Sequence, residues 1–379
     1  MSTNRDHRGG GPGSLPALQP VQLLDPDGSR HEHPVYAIDI SATELIDLYR
    51  LLAVTRAMDQ EFVNLQRQGE LALYAPCMGQ EAAQIGLARG VEPTDWIFPQ
   101  YRELGVIVER KVPLRPLGSY WRGRWHSGWD PFEHRIGPMT IPIATQLPHA
   151  VGYGMGIRLD GGDEIVVACL GDGATSEGDS HEAMNFAAVF GAPVIFFVQN
   201  NQWAISVPES EQHHAASLAH KAIGYGMTGV RCDGNDVLAT LAVVRHHAEQ
   251  VRAGAPPVLV EAVTYRRGPH TTSDDPTRYR SDDDVVRWTA LDPILRLERH
   301  LADIGALTTA ISAAVTAASS EAALEVREAL FESPDTDPLE LFDHVFADPP
   351  DHLIAQQNQL SLEIDAALDA GQATDGPGV

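Results

Sequence analysis

The chain has 379 residues, 43% of them apolar, enough to bury a full core as one large domain or two ordinary ones. Asp and Glu number 52 against 27 Lys and Arg, and the formal charge of −25 excludes nucleic acid as a partner, because it repels a phosphate backbone. Cys77, Cys169 and Cys232 show no metal-ligand spacing, the start carries Arg5 and Arg8 but no apolar stretch, and no run approaches the ~18 residues of a membrane span, so a cytoplasmic chain is expected.

A flexible tail is expected over 1–35, led by Gly9, Gly10, Gly11, Pro12 and Gly13; one α/β domain over 36–345; and a helical segment with a flexible end over 346–379. Ser41-Ala-Thr-Glu44 is a capping box, and Leu48, Leu51, Leu52, Met58, Phe62 and Leu65 recur at helical spacing until Gly69. That predicts a long helix over 42–68. Shorter helices follow over 80–89 and from Pro148, where Gly152 and Gly156 offer one smooth face.

The middle of the chain alternates two patterns. Runs 165–170, 194–198 and 258–265 are β-rich and of strand length, the stretch 226–231 supplies a further strand, and 177–190 and 237–252 between them are helical. This order gives βαβ units: a mostly parallel sheet with helices on both faces and helical additions at both ends. From Leu291 to Leu330 the pattern is helical again.

The chemistry starts where run 165–170 ends in Gly171-Asp-Gly-Ala-Thr-Ser-Glu-Gly178. A strand, a glycine turn and a helix N-terminus make an anion site: Gly171 and Gly173 allow unusual backbone angles and close approach, and unpaired N–H groups point at a phosphate. The strand 194–198 ends in Gln199-Asn-Asn-Gln-Trp-Ala-Ile-Ser206, which puts amides at the same carboxyl edge of the sheet. Asp172 and Asn201 stand 201 − 172 = 29 positions apart, the span of one helix and one strand. Both oxygens can therefore meet one Mg²⁺, an ion that takes its remaining ligands from phosphate and water. A strand-to-helix turn beside a polar loop with no ligand would show the same two motifs. A dinucleotide site is the other rival, but its third glycine is Ser176 here, and Gly191-Ala-Pro193 stand where a ribose-binding acid belongs.

Gly171-Asp-Gly173 followed by Asn200-Asn201 resembles the thiamine-diphosphate motif of transketolases, decarboxylases and 2-oxoacid dehydrogenases. From about Leu48 to Arg280 the chain resembles one family, the alpha chains of the decarboxylating component of 2-oxoacid dehydrogenase complexes, the branched-chain type first and the pyruvate type next. The resemblance implies a thiamine-diphosphate-binding fold. It assigns diphosphate contacts to Tyr101 and Arg102 in Phe98-Pro-Gln-Tyr-Arg-Glu-Leu-Gly105, and cofactor contacts to Ile141, Ile143, Gly171, Gly173, Ala174 and Trp203. Magnesium would take Asp172, Asn201 and the Trp203 backbone oxygen; potassium would take Thr140, Pro142, Thr145 and Gln146. His270, in Thr264-Tyr-Arg-Arg-Gly-Pro-His-Thr-Thr-Ser-Asp-Asp275, would be the catalytic imidazole on a mobile loop, with Asp274 and Asp275 ordering that loop.

The implied activity is oxidative decarboxylation of a 2-oxoacid and acylation of a lipoyl group on an acyltransferase component. Only one Gly-Asp-Gly sheet unit is found, so the resemblance implies a separate beta chain in an α2β2 heterotetramer. The 42–68 helix and the Trp121–Trp129 stretch are the candidate contact surface, the tryptophans being equally suited to a substrate funnel. Gln199 departs from the family, whose branched-chain members often carry an arginine there. Diphosphate charge would then fall to Arg102, the cation and helix amides. His126 and His134 compete for a second active-site imidazole, while the pairs His213-His214 and His246-His247 read as surface residues. Two other classes stay open: a non-catalytic descendant of the fold, and an NAD-dependent enzyme.

Overall fold

The structure, a computed structural model, describes residues 14–124, 128–331, 337–343 and 345–369. Five strands form the central sheet: β1 (Trp96–Phe98), β2 (Val166–Gly171), β3 (Val194–Asn200), β6 (Thr228–Asp233) and β7 (Val258–Val263). Two short strands, β4 (Trp203–Ala204) and β5 (Val207–Pro208), pair separately. The order is β1-β2-β3-β7-β6 and every pairing is parallel. Both faces are covered, so β2 and β3 are fully buried apolar runs up to their carboxyl ends. Val167, Cys169, Ile195 and Phe197 pack into one core layer; Val166, Ala168, Leu170, Val194, Phe196 and Val198 pack into the other.

One flank holds the helices Gln146–Asp160 and Gly178–Phe190; the other holds Glu81–Gly90 and Val237–Arg252. Glu261 sits on β7 with no exposure, a place that would be costly for a lone carboxylate. It is satisfied by the Arg231 guanidinium at 3.1 Å, the Asn200 amide at 2.9 Å and the Ala219 N–H at 2.9 Å.

The long helix runs Ala42–Arg67, opened by the expected capping box and followed by Gly69 at φ 84°. Its apolar face is spent inside the chain, where Leu48, Leu52, Phe62 and Leu65 pack with Val315, Val326 and Leu330 of the Thr309–Phe331 helix. Trp121 and Trp129 are buried in the same core, and Trp125 lies outside the described residues. The expected partner surface on this helix and these two tryptophans is therefore corrected: their apolar area is already used.

A second correction concerns the tail. Residues 1–13 and 370–379 lie outside the described residues, but the inner part of the 1–35 segment is docked, with Leu23 and Leu24 buried and Val21 bridged to Cys232. Backbone pairs of Val21 with Arg231 and Asp233 and the Arg296 bond to the Leu24 carbonyl hold it, and so does Asp236. Its Oδ2 accepts the Leu23 and Leu24 N–H groups at 2.7 and 2.6 Å, while Oδ1 caps the Val237–Arg252 helix. Among the described residues no helix is long and apolar enough to cross a membrane.

Candidate active site

A cleft of about 180 Å³ opens at the carboxyl edge of β2 and β3, where ligands of open α/β sheets bind. Tyr101, Arg102, Ile143, Gly171, Asp172, Gly173, Ala174, Asn201, Trp203 and His270 all line it, together with Arg266 and Glu177. Segments far apart in the chain thus meet at one place. Ile141 is half exposed and outside that lining.

The turn after β2 differs from expectation in two ways. Neither Gly171 nor Gly173 has the left-handed backbone that favours glycine. Gly173 is needed for close approach instead: a Cβ there would stand 2.6 Å from the Ala204 Cβ, so a side chain would push away the segment carrying Trp203. Moreover a 3₁₀ turn, Gly173–Ser176, separates β2 from the helix that starts at Gly178. The residues facing the cleft therefore belong mainly to that turn rather than to the helix N-terminus.

Asp172 is 1% exposed, and burial lifts its carboxyl to about 6. Its Oδ2 accepts from the Gln212 amide at 2.7 Å, a neutral partner. Asn201 donates to the Gln80 Oε1 at 3.1 Å, and its own oxygen accepts the Trp203 N–H at 3.2 Å. The neighbouring Asn200 points away, with its amide nitrogen donating to Glu209 and Glu261. Among the described residues no three His, Cys, Asp or Glu side chains gather as a metal cage. A buried carboxylate, an amide oxygen with a lone pair to spare and the Trp203 carbonyl instead suit a hard cation that completes its shell with phosphate oxygens.

Two guanidinium groups bring the matching positive charge. Arg102 is fixed by the Pro76 carbonyl at 2.5 Å and the His270 carbonyl at 3.0 Å. Arg266 was not singled out from sequence, because an arginine in a polar loop resembles a solvated one. It is 1% exposed, bonded to the Ile205 carbonyl at 2.7 Å and the Tyr279 hydroxyl at 2.9 Å. Burial and then the charge of Arg102 lower its pKa to about 10. Two buried cations that repel each other across a cleft fit an anion placed between them.

His270 Nδ1 lies 3.2 Å from Arg102 and 3.5 Å from Arg266. Both arginines can only donate, so Nδ1 is the acceptor and the proton sits on Nε2. Burial, then Arg102 and Arg266, lower this imidazole to about 4. The loop is ordered by Asp274, whose Oδ2 accepts the His270 N–H at 2.7 Å and the Tyr279 hydroxyl.

Other sequence expectations fall elsewhere. Gln199 does not line the cleft: it is buried behind it, donating to Glu103 at 2.7 Å and accepting from Gln84 at 3.1 Å. Thr140 donates to Gln146 Oε1 at 3.2 Å, and the Thr145 N–H approaches the Pro142 carbonyl at 3.4 Å, so those four form one tight loop apart from the cleft lining. His134 faces the Arg110 carbonyl at 3.4 Å outside the cleft, and His126 lies outside the described residues. His247 is corrected from surface to core, 3% exposed beside the Tyr36 hydroxyl at 3.2 Å; His213 is also largely covered, 3.5 Å from Glu209.

Comparison with known proteins gives the family. Residues 49–341 match the family described as "Dehydrogenase E1 component". The chain is 54% identical over 347 residues to the 3-methyl-2-oxobutanoate dehydrogenase subunit alpha of Mycobacterium tuberculosis (strain ATCC 25618 / H37Rv), covering 92% of this chain and 95% of that one. It is 40% identical over 262 residues to the pyruvate dehydrogenase E1 component subunit alpha of Acholeplasma laidlawii, covering 69% and 76%. The corresponding Staphylococcus aureus (strain Mu50 / ATCC 700699) subunit is 37% identical over 286 residues, covering 75% and 77%.

Proposed function

The chain belongs to the dehydrogenase E1 component family, and from that premise we propose that it is the alpha subunit of a branched-chain 2-oxoacid dehydrogenase. It is a thiamine-diphosphate-dependent enzyme component that decarboxylates 3-methyl-2-oxobutanoate and related acids and passes the acyl group to a lipoyl group. The relative from Mycobacterium tuberculosis carries the substrate reading, since it matches 92% of this chain at higher identity than the pyruvate-type relatives.

Bound thiamine diphosphate supplies the carbanion sink that decarboxylation needs. The protein's task is charge and position. Arg102 and Arg266 would neutralise the diphosphate, and Asp172, Asn201 and the Trp203 carbonyl would hold Mg²⁺. Gly173 and Ala174 line the same pocket, Tyr101 adds a wall and Ile143 gives the ring an apolar rest. His270, neutral with its proton on Nε2, would donate a hydrogen bond from that nitrogen to a substrate oxygen, and would give the same proton to the lipoyl sulfur that the opening disulfide releases. The loop of Thr140, Pro142, Thr145 and Gln146 offers hydroxyl, amide and backbone oxygens to K⁺.

The site is completed by a beta chain in an α2β2 heterotetramer, with the lipoyl acyltransferase component as the acceptor. The half-exposed Ile141, Ile143 and Ile205 near the cleft support a covering chain. Three buried thiols, none in a disulfide, support a cytoplasmic setting. The test is kcat/KM of the reconstituted complex on 3-methyl-2-oxobutanoate against pyruvate. A preference for the branched acid of roughly tenfold or more is expected, since each methylene contributes about 1–3 kcal/mol. A preference for pyruvate would move the chain to the pyruvate class; absence of turnover despite bound cofactor would make it a non-catalytic descendant.

A further inference from the structure

The segment after the paired asparagines folds back over the β2 turn. Its helical turn Glu209–Gln212 is tied to the asparagine loop at its start, where the Glu209 N–H donates to the Gln202 carbonyl at 3.0 Å and the Glu209 carboxylate accepts from Asn200 at 2.9 Å. At its end the Gln212 amide nitrogen donates to Asp172 Oδ2 at 2.7 Å and to the Val207 carbonyl at 3.1 Å. The Gln212 amide oxygen is buried, with no hydrogen-bond partner among the described residues. An amide that leaves its oxygen unsatisfied is held there for what its nitrogen does.

A carboxylate can grip a cation with one oxygen or with both. Ca²⁺ accepts the two-oxygen grip in a loose shell of six to eight ligands, whereas Mg²⁺ demands an octahedron of single oxygens. With Oδ2 bonded to an N–H, the two-oxygen grip must break that bond, while the one-oxygen grip through Oδ1 leaves it intact. We infer that Gln212 is a positioning residue that reserves Oδ2 of Asp172, presents Oδ1 alone to the cleft and thereby favours Mg²⁺ over Ca²⁺. This rests on the reading that Asp172 faces the cofactor's cation.

The experiment is calorimetric titration of thiamine diphosphate into the α/β complex, with MgCl₂ or CaCl₂ as the only divalent salt, for wild type and Gln212→Leu. Gln212→Asn, one methylene too short to reach Oδ2, serves where the leucine variant does not fold. Affinity with Mg²⁺ is expected to fall roughly tenfold, the order set by losing one hydrogen bond to a charged group. Affinity with Ca²⁺ should fall less, so the Mg²⁺/Ca²⁺ ratio narrows. A ratio equal to wild type in the variants overturns the role of Gln212, whatever the absolute affinities. In a third arm with no divalent salt, wild-type complex that binds the cofactor as tightly as with Mg²⁺ overturns the reading of Asp172 itself.

Discussion

His270 shows how far a residue's chemistry depends on neighbours that its own sequence segment does not announce. The Gly-Pro-His loop could be read from sequence, but the two arginines that face its Nδ1 come from a helix-flanking segment 168 positions earlier and from four positions before it. With its pKa lowered to about 4, the imidazole is neutral throughout the range near pH 7. Nuclear magnetic resonance of histidine-labelled chain, assigned with His270→Ala, should show no protonation of His270 above about pH 5 without cofactor. Diphosphate between the guanidinium groups offsets their charge, so the same titration should move upward with cofactor bound. An ordinary histidine titration in the cofactor-free chain would contradict this electrostatic account. Asp172 and Asn201 were legible because a motif names them. Arg266 and Gln212 were not, because long polar side chains in loops look solvated until their partners are placed. Gln199, which stands where an arginine was expected to meet the diphosphate, turns instead toward Glu103 and Gln84.

At the scale of elements, hydrophobic pattern and caps carried most of the reading. The Val237–Arg252 helix falls where its periodicity puts it, and β2 and β3 fall within a residue or two of their apolar runs. What the pattern could not show was the docking of 21–31, which rests on partners more than 200 positions away: the Asp236 carboxylate, the backbone of Arg231 and Asp233 at Val21, and Arg296 at the Leu24 carbonyl. Asp236 caps a helix with one oxygen and holds the Leu23 and Leu24 N–H groups with the other, fully buried in both tasks. Asp236→Ala should cost about 2–4 kcal/mol, combining a lost cap with buried donors left unpaired. Denaturant unfolding measures the loss, and limited proteolysis should find new cleavage before Val35. Unchanged stability and an intact N-terminal segment would show that Asp236 is not the anchor.

For the whole molecule, a parallel sheet with both faces covered leaves its carboxyl edge as the place for chemistry, and there segments from distant parts of the chain wall the cleft. The tryptophans and the long helix failed as partner surface because apolar area reads alike whether a neighbour in the same chain or another chain covers it. Apolar side chains that do remain exposed include Phe186, Val189 and Phe190 on one helix and Ile141 and Ile143 near the cleft. The most direct measurement of the central claim is ferricyanide-coupled decarboxylation of 3-methyl-2-oxobutanoate by this chain alone, by this chain with its beta chain, and by the Asp172→Ala variant with the same beta chain. Turnover is predicted only for the wild-type pair with thiamine diphosphate and Mg²⁺. Turnover by this chain alone, dependent on the cofactor and on Asp172, would show that a complete site lies within these 379 residues and would contradict the two-chain account.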